Sequence, residues 1–164
     1  TVMANIGFHK AIKENGGRTE ITAVGDRYVL ENMLANGYNL GGEQSGHIIF
    51  TDFSTTGDGP VTALQVLSYL KRTRHKASAI TKIMTSYPQL LVNVKVATKD
   101  GWEDNEAIKA SIEEGKQQLG ENGRILVRPS GTEPLIRVMA EGPDQKELEE
   151  ICYKIADVVK VQQG

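Results

Sequence analysis

The stretch RILVRPSGTEPLIRVMAEG, residues 124–142, contains two apolar runs rich in Val, Ile and Leu, joined by a short loop of turn residues. Such runs on either side of a Pro, Ser and Gly cluster predict two antiparallel strands and the turn between them. Outward from this hairpin lie a helical pattern at about residues 105–119 and a second helical pattern toward residue 160. The hairpin therefore predicts a small sheet with helices packed against it.

The loop of the hairpin carries groups suited to binding phosphate. Arg128 and Arg137 offer planar guanidinium donors, Ser130 and Thr132 offer hydroxyls, and Gly131 lets the backbone turn its N–H groups toward one point. Ser, Gly and Thr are also ordinary turn residues, so a plain turn is the alternative. A plain turn does not explain two arginines at its ends, and the loop is predicted to bind a phosphate group.

The second half of the chain has the order β-α-β-β-α. Its first strand is LLVNVKVAT, residues 90–98, in which polar Asn93 and Lys95 alternate with valines. The terminal helix has an apolar stripe at helical spacing, formed by Leu148, Ile151, Cys152, Ile155 and Val159. A small two-layer α+β domain is expected from this pattern.

The first half alternates short apolar runs with helical patterns, which predicts an α/β layered domain with a mixed sheet and helices on both faces. The expected strands are VMANI, TEITAV and HIIF, and the expected helices are FHKAIKEN, YVLENMLAN, PVTALQVLSYLKR and SAITKIMTSY. Because this half begins inside an apolar run and offers only these few strands, we expect a truncated domain, the later part of a longer protein. Pro88 disfavours helix at Tyr87, which places the domain boundary between residues 1–84 and 85–164.

A second polar loop, GGEQSGH at residues 41–47, is suited to a polyhydroxylated ligand. Glu43 supplies a hydrogen-bond acceptor, Ser45 a hydroxyl, and His47 a titratable imidazole that is a candidate general acid or base. A polar turn before a strand explains the same residues equally well.

Two further loops lie near predicted element ends. In VGDRYV, residues 24–29, Gly25, Asp26 and Arg27 follow a predicted strand, where ligands often bind in α/β layers, although a turn with a helix cap is as good an explanation. In TTGDG, residues 55–59, Asp58 is the only carboxylate, which favours a helix start over a metal site.

The overall composition excludes several classes of protein. A net charge of −2 argues against nucleic acid as the partner, and no apolar run is long enough to cross a membrane. One cysteine allows neither a disulfide framework nor a cysteine metal site. A cytoplasmic protein with a small-molecule ligand is the expectation.

GGEQSGH followed by RPSGTEPLIRVMAEG, with VGDRYV upstream, resembles the phosphohexomutase superfamily over essentially the whole chain, and most closely its bacterial amino-sugar branch. The resemblance implies four domains around one cleft, of which this chain is the end of the third and all of the fourth. It implies an isomerase that interconverts hexosamine 6-phosphate and 1-phosphate through a bisphosphorylated sugar, supplying peptidoglycan precursors.

By position, the resemblance assigns Glu43 and Ser45 to sugar hydroxyls, with His47 beside them. It assigns the phosphate distal from the reacting end to the loop at residues 128–137, through Arg128, Ser130, Gly131, Thr132 and Arg137. It gives the loop at residues 24–29 a part in orienting the ligand, through Gly25, Asp26 and Arg27.

The family's phosphoserine loop, of the kind TASHNP, and its magnesium loop, of the kind DGDGDR, are missing from this sequence. The resemblance therefore implies that Mg²⁺ and the phosphoserine belong to an N-terminal half outside this chain, and that the chain alone is inactive. A phosphomannomutase or phosphoglucomutase of the same superfamily, a non-catalytic phosphosugar-binding module and a homodimeric assembly remain open alternatives.

Overall fold

The computed structural model describes all 164 residues, which form two compact units, Thr1–Thr85 and Ser86–Gly164. The first unit contains α1 (Ile6–Glu14), α2 (Asp26–Asn36), β1 (Leu40–Gly42), β2 (Ile48–Phe50), α3 (Gly59–Thr73) and α4 (Ala77–Ile80). The second contains β3 (Gln89–Lys95), α5 (Glu106–Leu119), β4 (Arg124–Pro129), β5 (Leu135–Glu141) and α6 (Gln145–Gln163), with single 3₁₀ turns at Trp102–Asp104 and Gly120–Asn122. Both units combine helices with small sheets, as the sequence predicts.

The second unit is built on a three-stranded antiparallel sheet in the order β3-β5-β4. The strand that comes last in sequence, β5, therefore lies in the middle of the sheet. Helix α6 packs on β3 and β5, and α5 packs on α6 and β4. This is the predicted β-α-β-β-α order in two layers.

Alternation along β5 divides its side chains between two faces. Ile136, Val138 and Ala140 are fully buried with residues of α5 and α6, so Arg137 and Met139 point to the opposite face. The buried cluster of the second unit comprises Val94, Val96, Ile108, Leu119, Ile136, Val138, Ala140, Leu148, Ile151, Cys152, Ile155, Ala156 and Val159. The predicted stripe of the terminal helix, including Cys152, is confirmed as core.

Helix starts in the chain follow ordinary capping chemistry. The side chain of Asn105 accepts hydrogen bonds from the first N–H groups of α5, and that of Asp144 does the same for α6. Asp58 caps α3 by accepting from Val61 N–H at 2.9 Å, and Pro60 follows in the first turn. The prediction that TTGDG opens a helix is confirmed.

The first unit has a much smaller core. Only Val29, Met33 and Ile49 form its buried cluster, and a cavity of about 730 Å³ lies among α1, α2 and β1. Its sheet is the antiparallel hairpin β1-β2. The apolar stripe of α3 is largely exposed, since Leu64 is 64% and Leu67 60% accessible.

Two strand predictions in the first unit are wrong. The segment TEITAV forms no strand. A backbone hydrogen bond joins Val2 N–H to the Thr22 carbonyl at 2.8 Å, but no regular series of strand-pairing hydrogen bonds continues from it. VMANI is a turn that leads into α1, where the Asn5 side chain caps the helix by accepting from Gly7 N–H at 3.0 Å.

The predicted helix SAITKIMTSY shortens to α4, Ala77–Ile80. Ile83, in the part that is not helical, is 73% exposed. A short helix without a buried face has too little tertiary support to continue. No helix of either unit combines the length and apolar character needed to cross a membrane.

Candidate functional site

Ser130 is the centre of the loop that joins β4 to β5. It is 2% exposed, its N–H donates to the Leu135 carbonyl at 2.8 Å, and its Oγ accepts from Glu133 N–H at 3.3 Å. Arg137 Nη2 lies 3.4 Å from the same Oγ. A small buried hydroxyl residue is required here because the chain turns tightly around it.

Two arginines of the loop face each other across the sheet. Arg128 of β4 and Arg137 of β5 are register partners, which places their Cβ atoms about 5 Å apart on one face. Like charges at directly opposed positions destabilise a sheet. An anion between them would remove this repulsion.

The guanidinium groups also have unused donors. The chain gives the Arg128 side chain no hydrogen bond or ion pair, and Arg137 Nε is buried without an acceptor. Arg137 Nη2 pairs with the Glu133 carboxylate at 3.2 Å, although Glu133 is 57% exposed. Buried donors are normally satisfied, so an unsatisfied guanidinium indicates a place for an acceptor from outside the chain.

Gly131 and Thr132 form the exposed tip of the loop. Neither backbone N–H finds an acceptor within the chain. A Cβ placed on Gly131 would meet nothing within 4 Å, so glycine here leaves the backbone open to close approach. The loop thus offers two guanidinium groups and two main-chain donors, together with the Thr132 hydroxyl.

The second predicted loop is the turn between β1 and β2. Glu43 N–H donates to the His47 carbonyl at 2.9 Å, and Gly46 N–H donates to the Glu43 carbonyl at 3.1 Å. Gly46 has φ 102°, a conformation that favours glycine. A Cβ on Gly42 would lie 2.7 Å from the His47 carbonyl oxygen, so that position also excludes a side chain.

The polar side chains of this turn form a connected chain of hydrogen bonds. Ser45 Oγ–H donates to Glu43 Oε1 at 2.7 Å, and His47 Nδ1 lies 2.9 Å from Ser45 Oγ. Because the serine proton is used toward Glu43, this network requires Nδ1–H of His47 to donate to the serine oxygen. In neutral His47 the acceptor nitrogen is then Nε2, on a side chain that is 52% exposed.

Gly25 joins the same cluster from the start of α2. Its N–H donates to Glu43 Oε2 at 3.2 Å, which holds a carboxylate that is only 10% exposed. The structure therefore brings Gly25, Glu43, Ser45 and His47 together.

Asp26 and Arg27 do not join this cluster. Asp26 Oδ1 accepts from Arg27 N–H at 2.9 Å, and Arg27 Nε pairs with Glu31 Oε1 at 2.7 Å along the exposed face of α2. Hydrogen bonding and charge from Glu31 raise the pKa of Arg27. The predicted Asp cap is wrong, because Asp26 is already the first residue of α2 and Gly25 is its N-cap, with no side-chain capping hydrogen bond.

Sequence reasoning missed two residues whose side chains make contacts in the loop between β4 and β5. Glu133 lies within the quoted motif, yet its pairing with Arg137 depends on the curvature of the loop. Lys99 lies 31 positions before Ser130 and donates from Nζ to the Ser130 carbonyl at 2.7 Å. An isolated lysine after a strand carries no local pattern that would indicate this contact.

Metal-binding side chains are not grouped in either unit. No three His, Cys, Asp or Glu side chains come together in an arrangement that could hold an ion. The donor groups present, guanidinium and main-chain N–H, are suited to an anion and do not fit a divalent cation.

Comparison with known proteins gives a consistent assignment for both units. Residues 1–87 match the family described as phosphoglucomutase/phosphomannomutase, alpha/beta/alpha domain III, and residues 91–158 match its C-terminal domain. The chain is 56% identical, over 99% of its length, to the phosphoglucosamine mutase of Brevibacillus brevis. It spans 36% of that protein's length.

Two solved structures of a fungal enzyme are also similar to the chain. Aspergillus fumigatus N-acetylphosphoglucosamine mutase in complex with glucose 1,6-bisphosphate matches 98% of this chain and 37% of its own, with a TM-score of 0.74 and 19% identity. The same fungal enzyme with GlcNAc-6P and magnesium matches 67% of this chain and 22% of its own, with a TM-score of 0.55 and 25% identity. The first of these likenesses concerns the fold alone.

Proposed function

The chain belongs to the phosphoglucomutase/phosphomannomutase family, and from that premise we propose that it is the substrate-holding part of a phosphoglucosamine mutase. The proposed reaction interconverts glucosamine 6-phosphate and glucosamine 1-phosphate through a bisphosphorylated intermediate. The amino-sugar assignment rests on the identity of 56% to the Brevibacillus brevis enzyme, of which this chain spans 36%.

The observation that carries the proposal is the opposed pair Arg128 and Arg137. Their charges repel in the free chain, Arg137 Nε has no acceptor, and planar guanidinium groups are suited to phosphate oxygens. The Gly131 and Thr132 N–H groups add main-chain donors at the same loop. We assign this loop to the phosphate that does not react, which it would hold in either orientation of the sugar.

The turn at residues 41–47 is proposed to bind the sugar. Glu43 is fixed by Gly25 and Ser45, so its carboxylate is held in one orientation and retains acceptor capacity for sugar hydroxyls. The His47 side chain is 52% exposed, and its Nε2 is proposed to accept a proton from a hydroxyl of the sugar. Binding the sugar in a fixed orientation lowers the barrier to transfer by fixing the geometry of the reacting atoms.

Magnesium is proposed as a cofactor of the complete enzyme, since a similar solved structure contains it. A divalent ion would neutralise charge on the transferred phosphoryl group. The residues of this chain do not fit a magnesium site, because no group of suitable side chains comes together. The part of this chain in the proposed reaction is therefore to bind and orient the sugar phosphate.

The assignment is tested by assaying the full-length enzyme that contains this chain. We expect a kcat/KM for glucosamine 6-phosphate well above those for mannose 6-phosphate and glucose 6-phosphate. A Glu43→Gln variant should lose turnover on every sugar phosphate, because the acceptor for sugar hydroxyls is weakened, whereas a Glu31→Gln variant on the exposed face of α2 should not. A preference for mannose 6-phosphate would contradict the amino-sugar assignment.

A further inference from the structure

Lys99 contacts the phosphate-binding loop from outside its sequence motif. It follows β3, it is half-buried, and its Nζ donates to the Ser130 carbonyl oxygen at 2.7 Å. With this bond, the N–H, the hydroxyl and the carbonyl of Ser130 all have partners. The bond to Leu135 holds the peptide group between Pro129 and Ser130, and the bond from Lys99 holds the next one, between Ser130 and Gly131.

Fixing the Ser130 carbonyl also fixes the next N–H. The chain has no cis peptide bond, and in a trans peptide the carbonyl of one residue and the N–H of the next point in opposite directions. The Gly131 N–H therefore points away from Lys99. Gly131 is an exposed residue, and its N–H has no acceptor in the chain.

Glycine at the next position makes such an external restraint necessary. Gly131 has more backbone freedom than other residues, and nothing packs within 4 Å of where its Cβ would be. Without the ammonium group, the peptide between Ser130 and Gly131 could rotate and withdraw its donor. A charged donor to a carbonyl is among the stronger hydrogen bonds, so lysine is suited to this restraint.

We propose that Lys99 is a positioning residue of the phosphate-binding loop, which holds the Ser130 carbonyl and so directs the Gly131 N–H toward the bound anion. The proposal rests on the proposed function, because it concerns the same loop. It assigns to Lys99 no contact with the reacting atoms.

The test uses the 164-residue chain, with inorganic phosphate as the probe and backbone amide NMR as the readout. In the unmodified chain, phosphate should shift the Gly131 amide proton downfield. Lys99→Met should weaken phosphate binding about tenfold and reduce that shift, because the donor is no longer held in place. Lys99→Arg, which retains a charged donor, should recover most of the affinity.

Lys154→Met is the matched control. Its ammonium pairs with Glu114 at 2.6 Å between α6 and α5, so the substitution removes the same charge from the same unit without touching the loop. We expect a change in phosphate affinity of less than twofold. Equal weakening by Lys99→Met and Lys154→Met would overturn the proposal, since only net charge would then matter.

Two other outcomes separate this inference from the function on which it rests. If phosphate shifts no amide of residues 128–137 in the unmodified chain, both are overturned. If phosphate binds there and Arg128→Gln weakens it while Lys99→Met does not, only the role of Lys99 is overturned. Should Lys99→Met fail to fold, a Gly131 amide in the unmodified chain that does not respond to phosphate would still contradict the proposal.

Discussion

Arg128 and Arg137 are cross-strand neighbours, and their repulsion is offset within the chain only in part, by the exposed Glu133 carboxylate that pairs with Arg137. A second positive charge at this cross-strand position does not favour the stability of the sheet. The pair therefore separates two effects that usually change together, namely the stability of the ligand-free chain and its affinity for phosphate.

For Arg128→Gln we expect opposite effects on these two quantities. In phosphate-free buffer, the free energy of unfolding should rise by about 0.2–1 kcal/mol, because the repulsion across the sheet is relieved. Phosphate affinity should fall at least about tenfold, because a charged donor is lost. Urea denaturation and phosphate titration measure the two effects.

Lys95→Gln is the control for that experiment, since Lys95 lies exposed on β3 and faces Leu135 in the register. Its unfolding free energy should stay within about 0.5 kcal/mol of the unmodified chain. A variant Arg128→Gln that is less stable and still binds phosphate normally would show that the arginine is a structural residue.

At the scale of elements, sequence patterns predicted the second unit well, because its elements are supported both locally and by packing. Alternation in LLVNVKVAT and the stripe of α6 survive in the structure, since Val94 and Cys152 reach one common core. The predictions of a strand at TEITAV and of a helix over all of SAITKIMTSY are wrong because packing does not support these segments. Their apolar side chains Ile21 and Ile83 remain exposed, and local propensity alone does not hold a segment in place.

The candidate site was predictable where its chemistry is contiguous in sequence. Glu43, Ser45 and His47 come together because one tight turn contains them all. Lys99 was not predictable, because its contact depends on the loop being folded back over a distant part of the chain. Whether Asp26 and Arg27 contact a ligand stays a prediction, since in the structure both are engaged along α2.

Helix α6 supplies a pH-dependent term to the stability of the second unit. Burial raises the pKa of the Cys152 thiol to about 11 from an ordinary 9.0, and a backbone hydrogen bond with Ala140 opposes part of this shift. The folded chain therefore holds the neutral thiol, whereas the unfolded chain ionises it above pH 9. This contribution is fully present below pH 9 and is lost as the pH rises to 11.

Comparison with Cys152→Ala isolates that term from the other groups that titrate at high pH. Between pH 9 and 11, the unfolding free energy of the unmodified chain should fall by roughly 2 kcal/mol more than that of the variant. Chemical denaturation across this pH range provides the measurement. Parallel pH dependences for the two chains would mean that the thiol is not held neutral by burial.

At the scale of the whole molecule, the two units differ in how much apolar surface they bury. Thirteen residues form the buried cluster of the second unit and three that of the first, which also contains an open pocket and leaves Leu64 and Ile83 largely exposed. Burial of apolar surface is the main favourable term in folding. The second unit should accordingly be the more stable by itself.

Native-state hydrogen exchange on the intact chain tests this difference. Amides of β5 and α6 should exchange only through global opening of the second unit, whereas those of α2 and α3 should exchange through openings of lower free energy. Low concentrations of denaturant should accelerate hydrogen exchange at the amides of α2 and α3 before it accelerates exchange at those of β5 and α6. Equal exchange free energies for both groups would contradict the difference inferred from the cores.

The strand order β3-β5-β4 has a consequence for how the second unit forms during synthesis. Neither β3 nor β4 borders the other, and each pairs only with β5. On a ribosome, both strands leave the exit tunnel before their common partner, so no ladder of this sheet can form until residues 135–141 have emerged. The loop between β4 and β5 therefore cannot close before β5 has emerged, and a nascent chain that stops at residue 134 contains no completed turn between these strands.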